Sequence, residues 1–325
     1  MHGFGAAAAT MMHSLLSLVA LLSALRPVTS AGVKPGQIKN LVTFGDSYTD
    51  VVSVGDGGVA WPMYAAGYAH VSLFPFARSG ATCSNNITFR PFPSVFESQL
   101  PLYFAEKNNG TLKLDPQETI YTLWIGTNDV GANSLITGQP KASIVDVANC
   151  MVNWVRVLYE SGARNFIFQN MIPLQHVPMY SPNAYPDRFW FAQRNTTEWS
   201  IFMEELVLSG NALTKLLLNA LVPKLKGAHV AILDSHSLFQ DMIDRPSLYL
   251  NGTAPFNVTG AVNACVFEVN NPNNPVCTVV PPGPERDSYL WFDELHPSEQ
   301  ADRIVARQVA DVIGGQRNNW TVWLS

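Results

Sequence analysis

The chain has 325 residues, of which 47% are hydrophobic and 14% charged, enough apolar material for a large core in one domain or for two small domains. Its formal net charge of -5 supplies no basic surface for a phosphate backbone, which argues against nucleic acid as a partner.

Residues 1–30 are expected to be a signal peptide. The run SLLSLVALLSAL (14–25) has export-signal length, is too short to span a bilayer and is followed by the small residues of VTSA. The segment before it lacks Lys and Arg, a departure from the usual pattern. Cleavage near Ser30 or Ala31 would leave residues 31–325 as a single domain, secreted and extracellular. No later stretch reads as long and apolar enough for a membrane helix, so no stable membrane association is expected.

The first strand is expected at IKNLVTF (38–44), an apolar run that stops at Gly45-Asp46-Ser47. Further strands are expected at TIYTLWI (119–125), NFIFQNM (165–171) and HVAILD (229–234). Between and after them, residues 142–163, 198–225 and 297–313 carry apolar residues at helical spacing. Alternation of this kind predicts a mainly parallel sheet covered on both faces, an α/β fold in one domain from about residue 37 onward. Residues 173–188 and 247–286 read as irregular Pro- and Asn-rich loops.

The four cysteines have no zinc-site spacing. Cys265 and Cys277 bracket the loop VFEVNNPNNPV and are expected to be bonded. Cys150 lies in a helical pattern, where a small buried residue is as good a reading as a bond to Cys83. Six Asn-x-Ser/Thr sequons, at Asn86, Asn109, Asn195, Asn251, Asn257 and Asn319, are candidate glycosylation sites on an exported chain.

In parallel sheets, ligands sit beyond the carboxyl ends of the strands. Gly45-Asp46-Ser47 and Gly126-Thr127-Asn128-Asp129 both follow strands, and WFDELHPSEQ, with Asp293 and His296, precedes the last helix. A serine hydroxyl needs a base to take its proton, and a histidine serves best when a carboxylate holds its other ring nitrogen. Ser47, His296 and Asp293 meet that need if the last two share one turn. Backbone amides beside glycines, together with the Asn128 side chain, can stabilise the oxyanion.

FGDSYTD with Ser47, Gly80 in ARSGATCSNN, IGTNDV with Asn128 and DELHPS with Asp293 and His296 resemble, in order, the four blocks of the GDSL/SGNH hydrolases. They look most like the fungal acetyl esterases of carbohydrate esterase family sixteen. The resemblance spans roughly residues 38 to 313 and implies a flavodoxin-like three-layer fold. It also implies Ser47, Gly80 and Asn128 as oxyanion donors, with Ser47, Asp293 and His296 as catalytic residues. Tyr48 stands where the family name has Leu, a difference expected to bear on specificity. No Gly-x-Ser-x-Gly elbow occurs, which disfavours a conventional α/β-hydrolase.

His70, His176, His229 and His236 are competing bases. His236 adjoins Asp234 too closely in the chain for the two side chains to face each other, and a capping or surface role suits it better. Asp46 and Asp50 read as turn-stabilising carboxylates. GDGGVA, with Gly55, Gly57 and Ala60, begins about ten residues too far beyond its strand for a dinucleotide loop. No metal-binding or phosphate-binding motif is present, so neither metal nor cofactor is expected. Trp124 and Trp291 are candidate substrate-binding aromatics, with core packing the competing reading. The expected function is that of a secreted serine esterase acting on short acyl esters, acetylated oligosaccharides in particular. The alternatives are a GDSL lipase or phospholipase and, from another class, a carbohydrate-binding protein on a hydrolase scaffold.

Overall fold

The computed structural model describes residues 32–55, 57–138 and 141–325, so the expected signal peptide and its cleavage point lie outside the described residues. In chain order the main elements are β1 (Asn40–Gly45), α1 (Trp61–Ala69), β2 (Ser72–Pro75), α2 (Leu100–Asn108), β3 (Thr119–Trp124), α3 (Ile144–Glu160), β4 (Asn165–Gln169), α4 (Thr196–Leu221), β5 (His229–Leu233), α5 (Ser235–Asp244), β6 (Asn257–Ala261), β7 (Asn263–Glu268), β8 (Asn271–Val279), β9 (Tyr289–Trp291), α6 (Glu299–Ile313) and β10 (Thr321–Trp323). The central sheet runs β10-β5-β4-β3-β1-β2. All its pairings are parallel except that of β10 with β5.

The fully buried strands β3 and β4 are the continuous apolar runs that a sheet covered on both faces requires. The edge strands β2 and β10 were not expected from sequence, because each is short and half-exposed. The expected helices form. Ser143 and Asp146 close a capping box on α3, Asn195 caps α4 and Ser298 caps α6.

One expectation needs correcting at α4. Residues Thr196–Lys224 form a helix long and apolar enough, by length and composition, to cross a membrane. Here it is part of the domain. Its inner face buries Met203, Leu206, Val207, Gly210 and Leu218, and the Asn211 side chain both accepts from the Met171 amide and donates to its carbonyl, at 2.9 Å each. A second correction falls on residues 247–286, which contain β6 and the antiparallel hairpin β7–β8. Most of β8 is exposed, so it shows no apolar periodicity to identify it.

Cys265 lies opposite Cys277 in that hairpin, and the two are bonded. Cys83 and Cys150 are bonded as well, tying the segment after Gly80 to α3. By the lengths of chain they close, 12 and 67 residues, these cross-links are worth about 3 and about 4 kcal/mol through the unfolded state.

Candidate active site

Sheet register brings the motifs together. The end of β1 is level with the end of β3, Gly45 beside Trp124, so Ser47 and Asn128 leave adjacent strands at the same edge. On the other side of β1, the chain leaving β2 is held by bonds from the Phe76 amide to the Thr43 carbonyl and from the Arg78 amide to the Gly45 carbonyl, which carries Gly80 to that edge too. The third part, the turn from Asp293 to His296, arrives just ahead of α6, which packs against α1.

Within that turn Asp293 Oδ1 accepts the amides of Leu295 and His296, both at 2.8 Å. The same carboxylate lies 3.0 and 3.1 Å from His296 Nδ1. His296 Nε2 is 2.9 Å from Ser47 Oγ. Asp293 is buried, and Ser47 and His296 are half-buried, so the hydroxyl and ring stay within reach of a substrate. This orientation makes Nδ1 a donor to the carboxylate and leaves Nε2 to accept the serine proton.

Asn128 is buried, and its Nδ2 donates to the Ala81 carbonyl at 2.9 Å. That bond fixes the side-chain amide beside the Gly80 loop. Gly80 has φ +76°, and a Cβ there would lie 2.5 Å from the Phe92 ring, so both conformation and space require glycine. Asp50 holds the loop from below. Its Oδ2 accepts the Ser79 amide at 2.8 Å and the Ser79 hydroxyl at 3.1 Å, while Oδ1 accepts the amides of Val52 and Ser53. Asp46 accepts the Tyr48 amide at 3.0 Å. Both aspartates serve the turns, as expected from sequence.

The competing histidines lie elsewhere. His236 sits at the first turn of α5, its amide bonded to Asn170 Oδ1 while Asp234 caps the helix. Burial holds its imidazole below the usual range.

Trp124 and Trp291 are not at the rim. Both are buried: Trp124 packs against Tyr48, Trp61 and Phe239 and donates to the Asn170 carbonyl, and Trp291 stacks on Phe239 and donates to the Val258 carbonyl. They form the floor beneath the site, with the Tyr48 ring between Trp124 and His296. The aromatics that reach the site come from loops. Phe189 meets the His296 ring edge to face at 5.6 Å, and Phe92, partly exposed, covers Gly80.

Gly55 has a different use from a nucleotide loop. A Cβ on it would lie 2.7 Å from His296 Cδ2 and 2.9 Å from Nε2, so only a bare backbone fits against the histidine edge that handles the proton. Glu294 is a further residue that sequence reasoning missed. Fully buried between Asp293 and Leu295, its carboxylate accepts from the Cys265 amide and the Tyr185 hydroxyl and pairs with Arg188 Nε at 2.9 Å. It fastens the disulfide-closed hairpin and the 185–188 loop to the histidine turn. A carboxylate beside DxxH with no helical or strand period offered no signal of this.

Asp46 and Asp129 both have their carboxyls pushed up to about 7, chiefly by burial, against the lowering effect of the Tyr48 amide on Asp46 and of the Thr88 hydroxyl and Cys83 amide on Asp129. An acid that keeps its proton in the folded state and loses it near 3.8 when unfolded favours folding fully below that value and progressively less as pH rises to about 7. Asp129→Asn removes one such group. Its melting temperature relative to the parent should therefore climb from about pH 4.5, inside that window, to about pH 8, above it. A difference that stays flat with pH would show that Asp129 is ionised throughout.

The model of the GDSL-like lipase/acylhydrolase family matches residues 41–309, and the chain belongs to that family. It is a carboxylic ester hydrolase of the GDSL/SGNH type, and its relatives include fungal enzymes. An acetylesterase of Hypocrea jecorina is 30% identical over 96% of this chain and 99% of its own length. An acetylesterase of Thermothelomyces thermophilus is 24% identical over 89% of this chain and 92% of its own. Among solved structures, LAE5, an alpha/beta hydrolase enzyme from the metagenome of Lake Arreo, covers 88% of this chain and 98% of its own at 12% identity and a TM-score of 0.45.

Proposed function

We propose that the protein hydrolyses short acyl esters, acetyl esters above all, through an acyl intermediate on Ser47, and that it works outside the cell. The observation that carries this reading is the unbroken line from Asp293 through His296 to Ser47 Oγ, at 3.0 and 2.9 Å. In this mechanism Ser47 attacks the ester carbonyl as His296 Nε2 takes its proton. Asp293 stabilises the imidazolium, and the amides of Ser47 and Gly80 with Asn128 Nδ2 receive the oxyanion. His296 then protonates the leaving alcohol, and water repeats the sequence to release the acid.

The names of the two fungal relatives support acetyl as the acyl group. Phe189, the Gly55 backbone and Phe92 lie against His296 and Gly80 and are the groups proposed to limit the acyl chain. Acetylated hemicellulose fragments are the proposed natural substrates. Export is supported by the two disulfides and by the exposure of Asn86, Asn109, Asn195, Asn251 and Asn319. Asn257 is a poorer glycan acceptor, being half-buried where the other five are exposed.

The test is a rate profile over acyl length, on enzyme recovered from the medium and beginning near Ala31. The ratio kcat/KM should fall steeply beyond about four acyl carbons, since a small pocket has no surface against which to bury more methylenes. Equal or higher rates on octanoyl esters or emulsified triglyceride would replace this reading with that of a lipase.

A further inference from the structure

Tyr48 is the one letter by which the first block departs from its family name, and the structure buries it beside His296. The side chain is buried. Its ring meets the His296 ring edge to face at 5.9 Å and the Trp124 ring at 5.4 Å. Its hydroxyl donates to the Leu295 carbonyl at 2.8 Å. Leu295 lies between Asp293 and His296. One phenol therefore reaches from the residue next to Ser47 to the turn that carries His296. Burial and the nearby Asp46 keep that phenol protonated, so it remains a donor.

We propose that Tyr48 is a positioning residue for His296: its hydroxyl ties the Asp293–His296 turn to the turn that carries Ser47. This rests on the reading of Ser47 and His296 as the reacting pair. Asp293 orders its turn from within, by accepting the Leu295 and His296 amides. It does not fix the distance from that turn to Ser47, which lies at the far end of the sequence. The Tyr48 bond spans that gap, and a leucine, having no hydroxyl, has nothing to offer the Leu295 carbonyl. Burial against the His296 ring favours this role over the specificity role expected from sequence.

Tyr48→Phe keeps the ring and removes only the tie. With the base free to drift from Ser47, kcat should fall about tenfold and KM should stay within about twofold, because substrate contacts are untouched. The loss should be equal on acetyl, butyryl and hexanoyl esters, and the rate of fluorophosphonate labelling should fall in parallel. Tyr48→Met, which fills similar volume without a hydroxyl or a ring, should lose more in the same pattern. Parent kcat in the folded Phe variant would overturn the proposal. So would an altered acetyl-to-hexanoyl ratio, which would make Tyr48 a specificity residue, or unchanged labelling beside a reduced kcat. Parent activity in Ser47→Ala would instead remove the reading underneath, whereas an active Tyr48→Phe removes only the tie.

Discussion

Ser47→Ala should lower kcat by about four orders of magnitude or more while leaving the melting temperature near that of the parent. The half-buried hydroxyl bonds to His296 Nε2 at 2.9 Å, a contact of the site, so its removal takes little from the fold. His296→Ala should cost a similar factor. Because the two act as one unit, the double variant should be scarcely worse than either single one. Steady-state rates of the three variants on an aryl acetate check this. Losses that multiply would show two independent contributions rather than a coupled serine and base.

The second large effect is expected at Asn128. Asn128→Ala should reduce kcat by about a hundredfold with KM nearly unchanged, since an oxyanion donor acts on the transition state far more than on the bound ester. The substitution also strips the Ala81 carbonyl of its Nδ2 partner, so a melting curve belongs with the kinetics. A loss below about threefold in a stable variant would leave the oxyanion to backbone amides alone.

How far sequence could reach differed from residue to residue. Ser47 and Asn128 were legible because each follows an apolar run at a strand's carboxyl end, and neighbouring strands in a parallel sheet deliver such ends to one edge. Asp293 and His296 were legible for a local reason, since three residues within one turn suffice to bring a carboxylate onto an imidazole. Trp124 and Trp291 misled because their spacing from Gly126 and Asp293 is a local property, while burial is not. Whether those indoles face solvent depended on where Tyr48, Trp61 and Phe239 would lie. Phe92, Phe189 and Glu294 escaped notice for the same cause, for loops and long-range partners place them and no period marks them. The β7–β8 hairpin was hidden by its own exposure, as the Pro- and Asn-rich strand β8 has little apolar surface to alternate.

Glycines divide along the same line. That the Gly55 and Gly57 run is unsuited to a dinucleotide could be argued from its distance to the preceding strand. Its use as a bare surface against His296 and Phe292 required the fold.

The most direct measurement is the site and stoichiometry of covalent labelling by a fluorophosphonate, which needs an activated serine and forms a stable adduct on it. Intact mass should show one adduct per chain, and peptide mapping should place it on Ser47. Labelling should be abolished in Ser47→Ala and nearly so in His296→Ala. An adduct on another residue, or labelling that persists in Ser47→Ala, would contradict the account.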